Sequence, residues 1–411
     1  MDRRCVAVRS AKFIRKAASE FSILTCVMQF GIIFCQSERG VFVSPFKYGM
    51  IVEGEHYCPR PELTRQFTRL VESGQNVVVQ GERRMGKTSF VCETIRRRRG
   101  LRLYYVDLYC VKTLAELCRR MVSAVSTLDR SDSFLRKTAR LISGLRPILT
   151  IDRDTGAPAL TVDLKGNASM DSLEEILDMV AAHANDGKTC LVFDEFQDVL
   201  GMADADVVLA RLRAKVQFQN KISHVFLGSV RNRMHEIFDS PKSPFYKSAT
   251  SFSVGPIDAL DFKEFLKGRF KIAKRRIGDD ALGRIVSISD HVSGDVQELC
   301  ETIWLATEDG DEIGEREIDR GLELVFAREQ RNFGDVLSRL TPIQASVLNG
   351  LADPAHPRLF SGEFMSINGV KNVGSVTRAL NRLKDEELVY EFQGEWKFTN
   401  PFFREWLMRR G

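Results

Sequence analysis

The sequence predicts an α/β domain, a parallel sheet flanked by helices, followed by a small helical unit and a winged helix. Three observations predict it. From Met50 to about residue 256, short apolar runs alternate with stretches of helical period. From Ala259 to about residue 330 the strand signal stops and only helical stretches follow. After Leu340 come three helical stretches and a hairpin pattern, the order of a winged helix.

In the α/β part, residues 76–80 (NVVVQ) are a continuous apolar run ending at Gly81, which reads as a strand buried on both faces. Residues 88–99 read as a helix and 101–108 (LRLYYVDL) as the next strand. A helical stretch at 113–128 precedes two alternating runs near Leu149 and Leu160, with Asp154-Thr155-Gly156 between them as a turn: an inserted hairpin. An amphipathic helix at 171–184 leads to a buried strand, 189–193, that ends at Asp194. A helix at 203–218, a strand at 224–227 closing on Gly228-Ser229, and a short strand at 252–254 complete the set.

Beyond it, residues 260–269, 279–288, 295–307 and 315–330 read as an all-helical unit. Thr341 is suited to cap a helix that opens with Pro342. Short and long helices at 361–367 and 373–388 precede strands at 389–392 and 396–398, joined through Gln393-Gly394-Glu395. The expected divisions are an extension at 1–43, the α/β domain at 44–256, a helical lid at 257–332 and the winged helix at 333–411.

Residues Gly81-Glu82-Arg83-Arg84-Met85-Gly86-Lys87-Thr88 fit the phosphate-loop pattern G-x-x-x-x-G-K-[ST] (Walker A), with Ser89 next in line. Each part has a physical reason. Glycines let the backbone turn so that successive amides converge on an anion, and the following helix aims its N-terminal dipole at the same point. Lys87 supplies a point charge for the β and γ phosphates, and the Thr88 hydroxyl is a magnesium ligand. The motif lies between an expected strand and an expected helix, the context it requires. The α/β part is therefore expected to be a P-loop NTPase sheet that binds ATP with Mg²⁺.

The strand ending Phe193-Asp194-Glu195 supplies the second half of such a site (Walker B). In a parallel sheet its carboxyl end lies beside the phosphate loop. Asp194 is the expected partner of magnesium, and Glu195 the base that orients and deprotonates the attacking water. Ser229, at the end of the strand between these two, is a candidate to touch the γ-phosphate or the water. Arg231 and Arg233 follow it and are equally readable as charges at a helix start. The four arginines 96–99 end a helix, where positive charge suits the dipole.

Taken together, GERRMGKTSF, LVFDEFQDV, VFLGSVRNRM and SPFYKSA resemble the prokaryotic "archaeal-type" ATPases of the AAA+/STAND group, over roughly residues 45 to 410. The resemblance implies ATP binding and hydrolysis with a moving lid, and a segment at 56–63 near the adenine in which Arg60 contacts the nucleotide. Two residues depart from the pattern. Lys247 stands after Phe245-Tyr246, where the family often has an arginine serving a neighbouring subunit, and it lacks the planar fork for a transferring phosphoryl group. Gln297 stands where many AAA+ proteins place a lid arginine. Slow hydrolysis without a partner is the expectation, and the oligomeric state is left open.

On the helix at 373–388, Val376, Leu380 and Leu383 share a face suited to packing, whereas Ser375, Arg378 and Arg382 lie on another that would fit a DNA major groove. Acidic residues 385–387, 391 and 395 offset that charge, and a protein-contact module is the competing reading. Trp396, Phe402, Phe403 and Trp406 are expected to be core. A formal net charge of +5 permits nucleic-acid contact without arguing for it. Nine scattered cysteines, none at C-x-x-C spacing, and six histidines exclude a zinc-finger or disulfide framework and suit a reducing, cytoplasmic setting. The basic N-terminus precedes an apolar run at 21–34, short for a membrane span and without a small-residue cleavage site. It reads as an upstream extension foreign to the native chain, a membrane-associating segment or a packed element. The functional expectation is an ATP-hydrolysing switch coupled to the winged helix, with a DNA-binding regulator that uses ATP as a structural ligand as the alternative.

Overall fold

The computed structural model describes residues 35–37, 40–42, 44–126, 147–151, 158–162, 169–184, 188–229, 233–353, 355–392 and 394–410. The apolar run 21–34, the turn 154–156 and Arg231 lie outside them. Strands β1 (Cys35–Ser37) and β2 (Gly40–Phe42) pair antiparallel. The chain then forms two compact units. Among the described residues, one lies within 51–262 with 291–294, and the other within 35–50, 263–290 and 295–410.

The first unit begins with helix α1 (Pro61–Glu72), strand β3 (Val77–Gly81), helix α2 (Lys87–Arg97), strand β4 (Leu101–Asp107) and helix α3 (Leu114–Ser126). The inserted hairpin is present as antiparallel strands β5 (Pro147–Ile151) and β6 (Pro158–Val162). Helix α4 (Met170–His183), strand β7 (Lys188–Asp194), helix α5 (Ala205–Val216), strand β8 (Ile222–Ser229), helix α6 (Met234–Phe238) and strand β9 (Thr250–Ser253) follow. The main sheet runs β4-β7-β8-β3-β9 and all its pairings are parallel.

Period-two alternation builds its two faces. Val77, Val79, Cys190, Val192, Val225 and Leu227 point to the layer with Phe67 of α1 and Phe90 of α2. Val78, Leu191, Phe193, Phe226, Tyr104 and Val106 point the other way, into a core with α3, α4 and α5. On the first face Phe67 meets Phe90 and Phe252 at 5.3 and 5.4 Å. On the second, Phe196, Phe226, Phe238 and Phe245 form a cluster with centroids 4.6–5.9 Å apart. These faces bury both sides of the sheet, which is why its strands read as unbroken apolar runs.

In the second unit, α7 (Ala259–Ile272), α8 (Asp279–Ile288), α9 (Ser293–Leu305) and α10 (Glu315–Arg339) are the expected helices, α7 beginning before residue 263 and α9 opening in the first unit. The expectation that residues 260–330 are all-helical is corrected by β10 (Arg276–Ile277), parallel to β11 (Glu312–Ile313). Two-residue ladders are too short to leave a periodic signal. α10 runs past Gln330, through 332 and 333, to Arg339. Tertiary packing accounts for the extension: Phe333 is buried against Phe403 and Trp406 at 5.0 and 5.4 Å.

The winged helix comprises α11 (Pro342–Ala352), α12 (Gly362–Ile367), α13 (Val373–Asp385) and the hairpin β12 (Val389–Phe392) with β13 (Glu395–Phe398). Thr341 caps α11 reciprocally with Gln344, as its sequence suggests. A further helix, α14 (Pro401–Met408), capped by Asn400, carries Phe402, Phe403 and Trp406 into the core, whereas Trp396 is only half-buried. Val376, Leu380 and Leu383 are buried. Among the described residues, no helix is long and apolar enough to cross a membrane.

Candidate active site

The site stands at the carboxyl edge of the main sheet, where β3 gives way to α2. Gly81 ends β3 with no room for a side chain: a Cβ there would lie 2.2 Å from the carbonyl oxygen of Val254. Gly86 caps α2 at φ 78°, a left-handed conformation that glycine adopts without strain. Between them Arg84 also has a left-handed φ of 61°. It is held there by Ser293 and Gly294 of the same unit, whose hydroxyl and amide donate to the Arg84 carbonyl at 3.1 and 2.9 Å. A Cβ on Gly294 would come within 2.9 Å of the Arg84 Cβ, so this approach requires a glycine.

Inside the turn, the buried Lys87 ammonium donates to the carbonyls of Gly81 and Glu82 at 3.0 and 2.9 Å. Burial lowers its pKa, opposed by the charges of Glu195, Asp194 and Glu82. Arg60 is buried too, and its guanidinium spans two carbonyls, those of Gly255 at 2.6 Å and Met85 at 2.7 Å. It clamps the loop to the segment after β9. The Ser89 hydroxyl accepts from the Val52 amide at 3.0 Å and so ties α2 to the segment before α1. Arg83 and Arg84 are exposed, Glu82 and Thr88 half-buried, and Met85 buried.

The carboxylate pair meets this loop directly. Thr88 Oγ1 donates to Asp194 Oδ2 at 2.7 Å across a sequence separation of 106 residues. The same oxygen accepts the Tyr105 hydroxyl at 2.8 Å, while Oδ1 accepts the Glu195 amide at 3.0 Å. A hydroxyl beside a carboxylate, both hard oxygen donors, suits Mg²⁺, which takes one or two protein ligands and keeps its waters. Glu195 turns out of the strand at φ 50°, and Gln197 Nε2 holds its Oε2 at 2.6 Å. Gln197 lies close above Gly228, where a Cβ would sit 2.7 Å from Gln197 Oε1. Ser229 is fully buried and in register with Gly81, beside the loop as expected.

The other candidates are engaged elsewhere. Arg233 forks onto Glu236 with two bonds of 2.6 Å. Lys247 lies exposed over the Tyr246 ring at 5.2 Å. Arg96 pairs with Glu53, Arg97 with Glu93 and Arg98 with Glu72, in keeping with the helix-end reading of that run. Two residues that sequence reasoning missed are Tyr105 and Gln197. Gln197 sits in the Asp-Glu-Phe-Gln run, where its closeness to Glu195 was visible. Tyr105 becomes visible only with the pairing of β4 to β7, in which it stands opposite Val192 on the face that carries Asp194.

Comparison with solved structures decides the fold. The Walker-type ATPase PABY2304 of Pyrococcus abyssi is similar over 89% of this chain and 99% of its own, with 18% identity and a TM-score of 0.62. A P-loop ATPase sheet followed by a winged helix is the fold of this chain. The Aeropyrum pernix ORC2 protein in its ADP form is similar at a TM-score of 0.50 and 13% identity, over 89% of this chain and 96% of its own. Residues 331–409 match the family model described as "Probable winged helix domain". No curated protein sequence matches the chain.

Proposed function

We propose that the chain is an ATP-binding and ATP-hydrolysing switch of the AAA+/STAND type, its nucleotide state coupled to the winged helix. The observation that carries this reading is the bond from Thr88 to Asp194, which joins the phosphate loop to the strand-end carboxylates. The ADP form of the Aeropyrum pernix ORC2 protein supports a nucleotide as the ligand of this fold.

In this reading the amides of residues 81–88 and the dipole of α2 receive the triphosphate. Lys87 exchanges the carbonyls of Gly81 and Glu82 for the β and γ phosphate oxygens. Mg²⁺, held by Thr88 and Asp194, would supply positive charge to the same oxygens. Glu195, oriented by Gln197, accepts a proton from the attacking water as the water oxygen bonds to the γ phosphorus and the bond to ADP breaks. Ser229 lies beside the loop as a further hydroxyl for the γ-phosphate or the water. Arg60 acts through the loop it clamps and need not touch the nucleotide. The Arg84 carbonyl, held by the first two residues of α9, offers a route by which the loop's state reaches that helix.

Replacing Glu195 by Gln tests the reading. Phosphate release from ATP by the purified full chain should fall about 100-fold or more while ATP binding persists. Equal rates in the two proteins would remove Glu195 from the chemistry. A DNA-binding regulator with ATP as a structural ligand is favoured by one observation: Arg378 and Arg382 lie exposed on α13 within the matched winged-helix region. Tight ATP binding by the wild type without phosphate release would select it.

A further inference from the structure

We infer that Tyr105 is a positioning residue for the magnesium-binding carboxylate, an inference that rests on the proposed ATPase reading. Its hydroxyl donates to Asp194 Oδ2, the atom that also accepts the hydrogen bond of the Thr88 hydroxyl. With the Glu195 amide on Oδ1, the carboxylate is held at three points, and Tyr105 supplies one from a strand outside both motifs.

The chemistry asks for such a support. The Thr88 hydroxyl can donate a hydrogen bond to Asp194 while its lone pairs face a cation, so the Thr88–Asp194 bond is compatible with a loaded site. A carboxylate on a strand end rotates about χ2 unless donors fix its plane, and Tyr105 adds a third to those from Thr88 and the Glu195 amide. Two donors on Oδ2 and one on Oδ1 fix it and leave acceptor capacity on Oδ1, with which Asp194 would help to hold the ion.

A packing role alone does not account for the hydroxyl. The Tyr105 ring is half-buried against the layer of Val77, Val192 and Phe90, where phenylalanine would serve. The ring also lines a groove of about 940 Å³ along the β4 edge, beside Arg96, Arg102 and Arg120. The hydroxyl thus reaches the metal carboxylate from the open edge of the sheet.

The test is binding of a fluorescent ATP analogue (mant-ATP) by the full chain, titrated with MgCl₂. Wild type, Tyr105→Phe, Asp194→Asn and the double variant are compared. Tyr105→Phe should raise the half-saturating magnesium concentration about tenfold, the loss of one bond to a charged group, and leave magnesium-free affinity unchanged. In the Asp194→Asn background the same change should have no further effect, because both act through one group. Superimposable wild-type and Tyr105→Phe titrations would overturn the inference, as would an equal loss of magnesium-free binding. A wild type that does not bind mant-ATP would instead overturn the proposed function, and this inference with it.

Discussion

Two basic surfaces of this chain meet opposite physical conditions. At the phosphate loop, Lys87 within it and Arg60 beside it are buried, and each rests on two main-chain carbonyls. On α13, Arg378 and Arg382 are exposed, and their partners are Ser375 on the same helix and Glu386 just past its end. Taking a charge out of water is costly unless every donor is met, so the first arrangement is built around those cations. The second costs little and specifies little. The sequence motif is decisive where the fold holds the charge and open where solvent does.

This contrast has graded consequences. The largest belongs to Lys87. Lys87→Ala should weaken ATP binding by about 100-fold or more, measured by calorimetry, since a bond set to a charged group is lost. An unchanged affinity would break the contrast at its strong end. Arg60→Ala leaves the Gly255 and Met85 carbonyls without a donor and should cost about 2 kcal/mol in urea unfolding. A silent substitution would mean that the clamp is dispensable.

A buried group of the same sheet sharpens the stability side. His224 is enclosed, its ring nitrogens near Asn76 and Gln219 oxygens at 3.1 and 3.0 Å, and burial lowers its pKa from 6.5 to about 3. Between those values the unfolded chain binds a proton that the folded chain refuses, so stability falls as pH falls, by up to about 1.4 kcal/mol per pH unit from this group. His224→Gln should flatten the slope of unfolding free energy against pH below 6.5. An identical slope would show that the protonated ring is accommodated. The smallest structural effect is expected on α13. Arg378→Ala with Arg382→Ala should leave the melting temperature unchanged, because both side chains are solvated. If the DNA reading holds, the pair should weaken binding to duplex DNA and lower its salt dependence by about two phosphate contacts. A fall in melting temperature would mean that these arginines support the fold.

Legibility in the sequence follows the same division. The loop 81–88 and the acids Asp194 and Glu195 were readable because each motif is local in the chain. The parallel sheet and the inserted hairpin were readable from apolar runs and turn residues. Tyr105 was not, since its role depends on which strand lies beside β7, and strand order is a property of the packed sheet. The resemblance alone ties Arg60 to the nucleotide; its two carbonyl partners, 25 and 195 residues away, are not legible in the sequence. Helix α14 was hidden because its aromatic residues were readable as core without their helical spacing, and β10 and β11 because each is two residues long.

The central claim is that loop 81–88 and the Asp194–Glu195 pair form one hydrolytic site. The most direct test is phosphate release from γ-labelled ATP by the purified full chain with magnesium, beside the Glu195→Gln variant under single turnover. The account predicts release by the wild type and retained, uncleaved ATP in the variant. Retained ATP in both, or release from both at one rate, would contradict it.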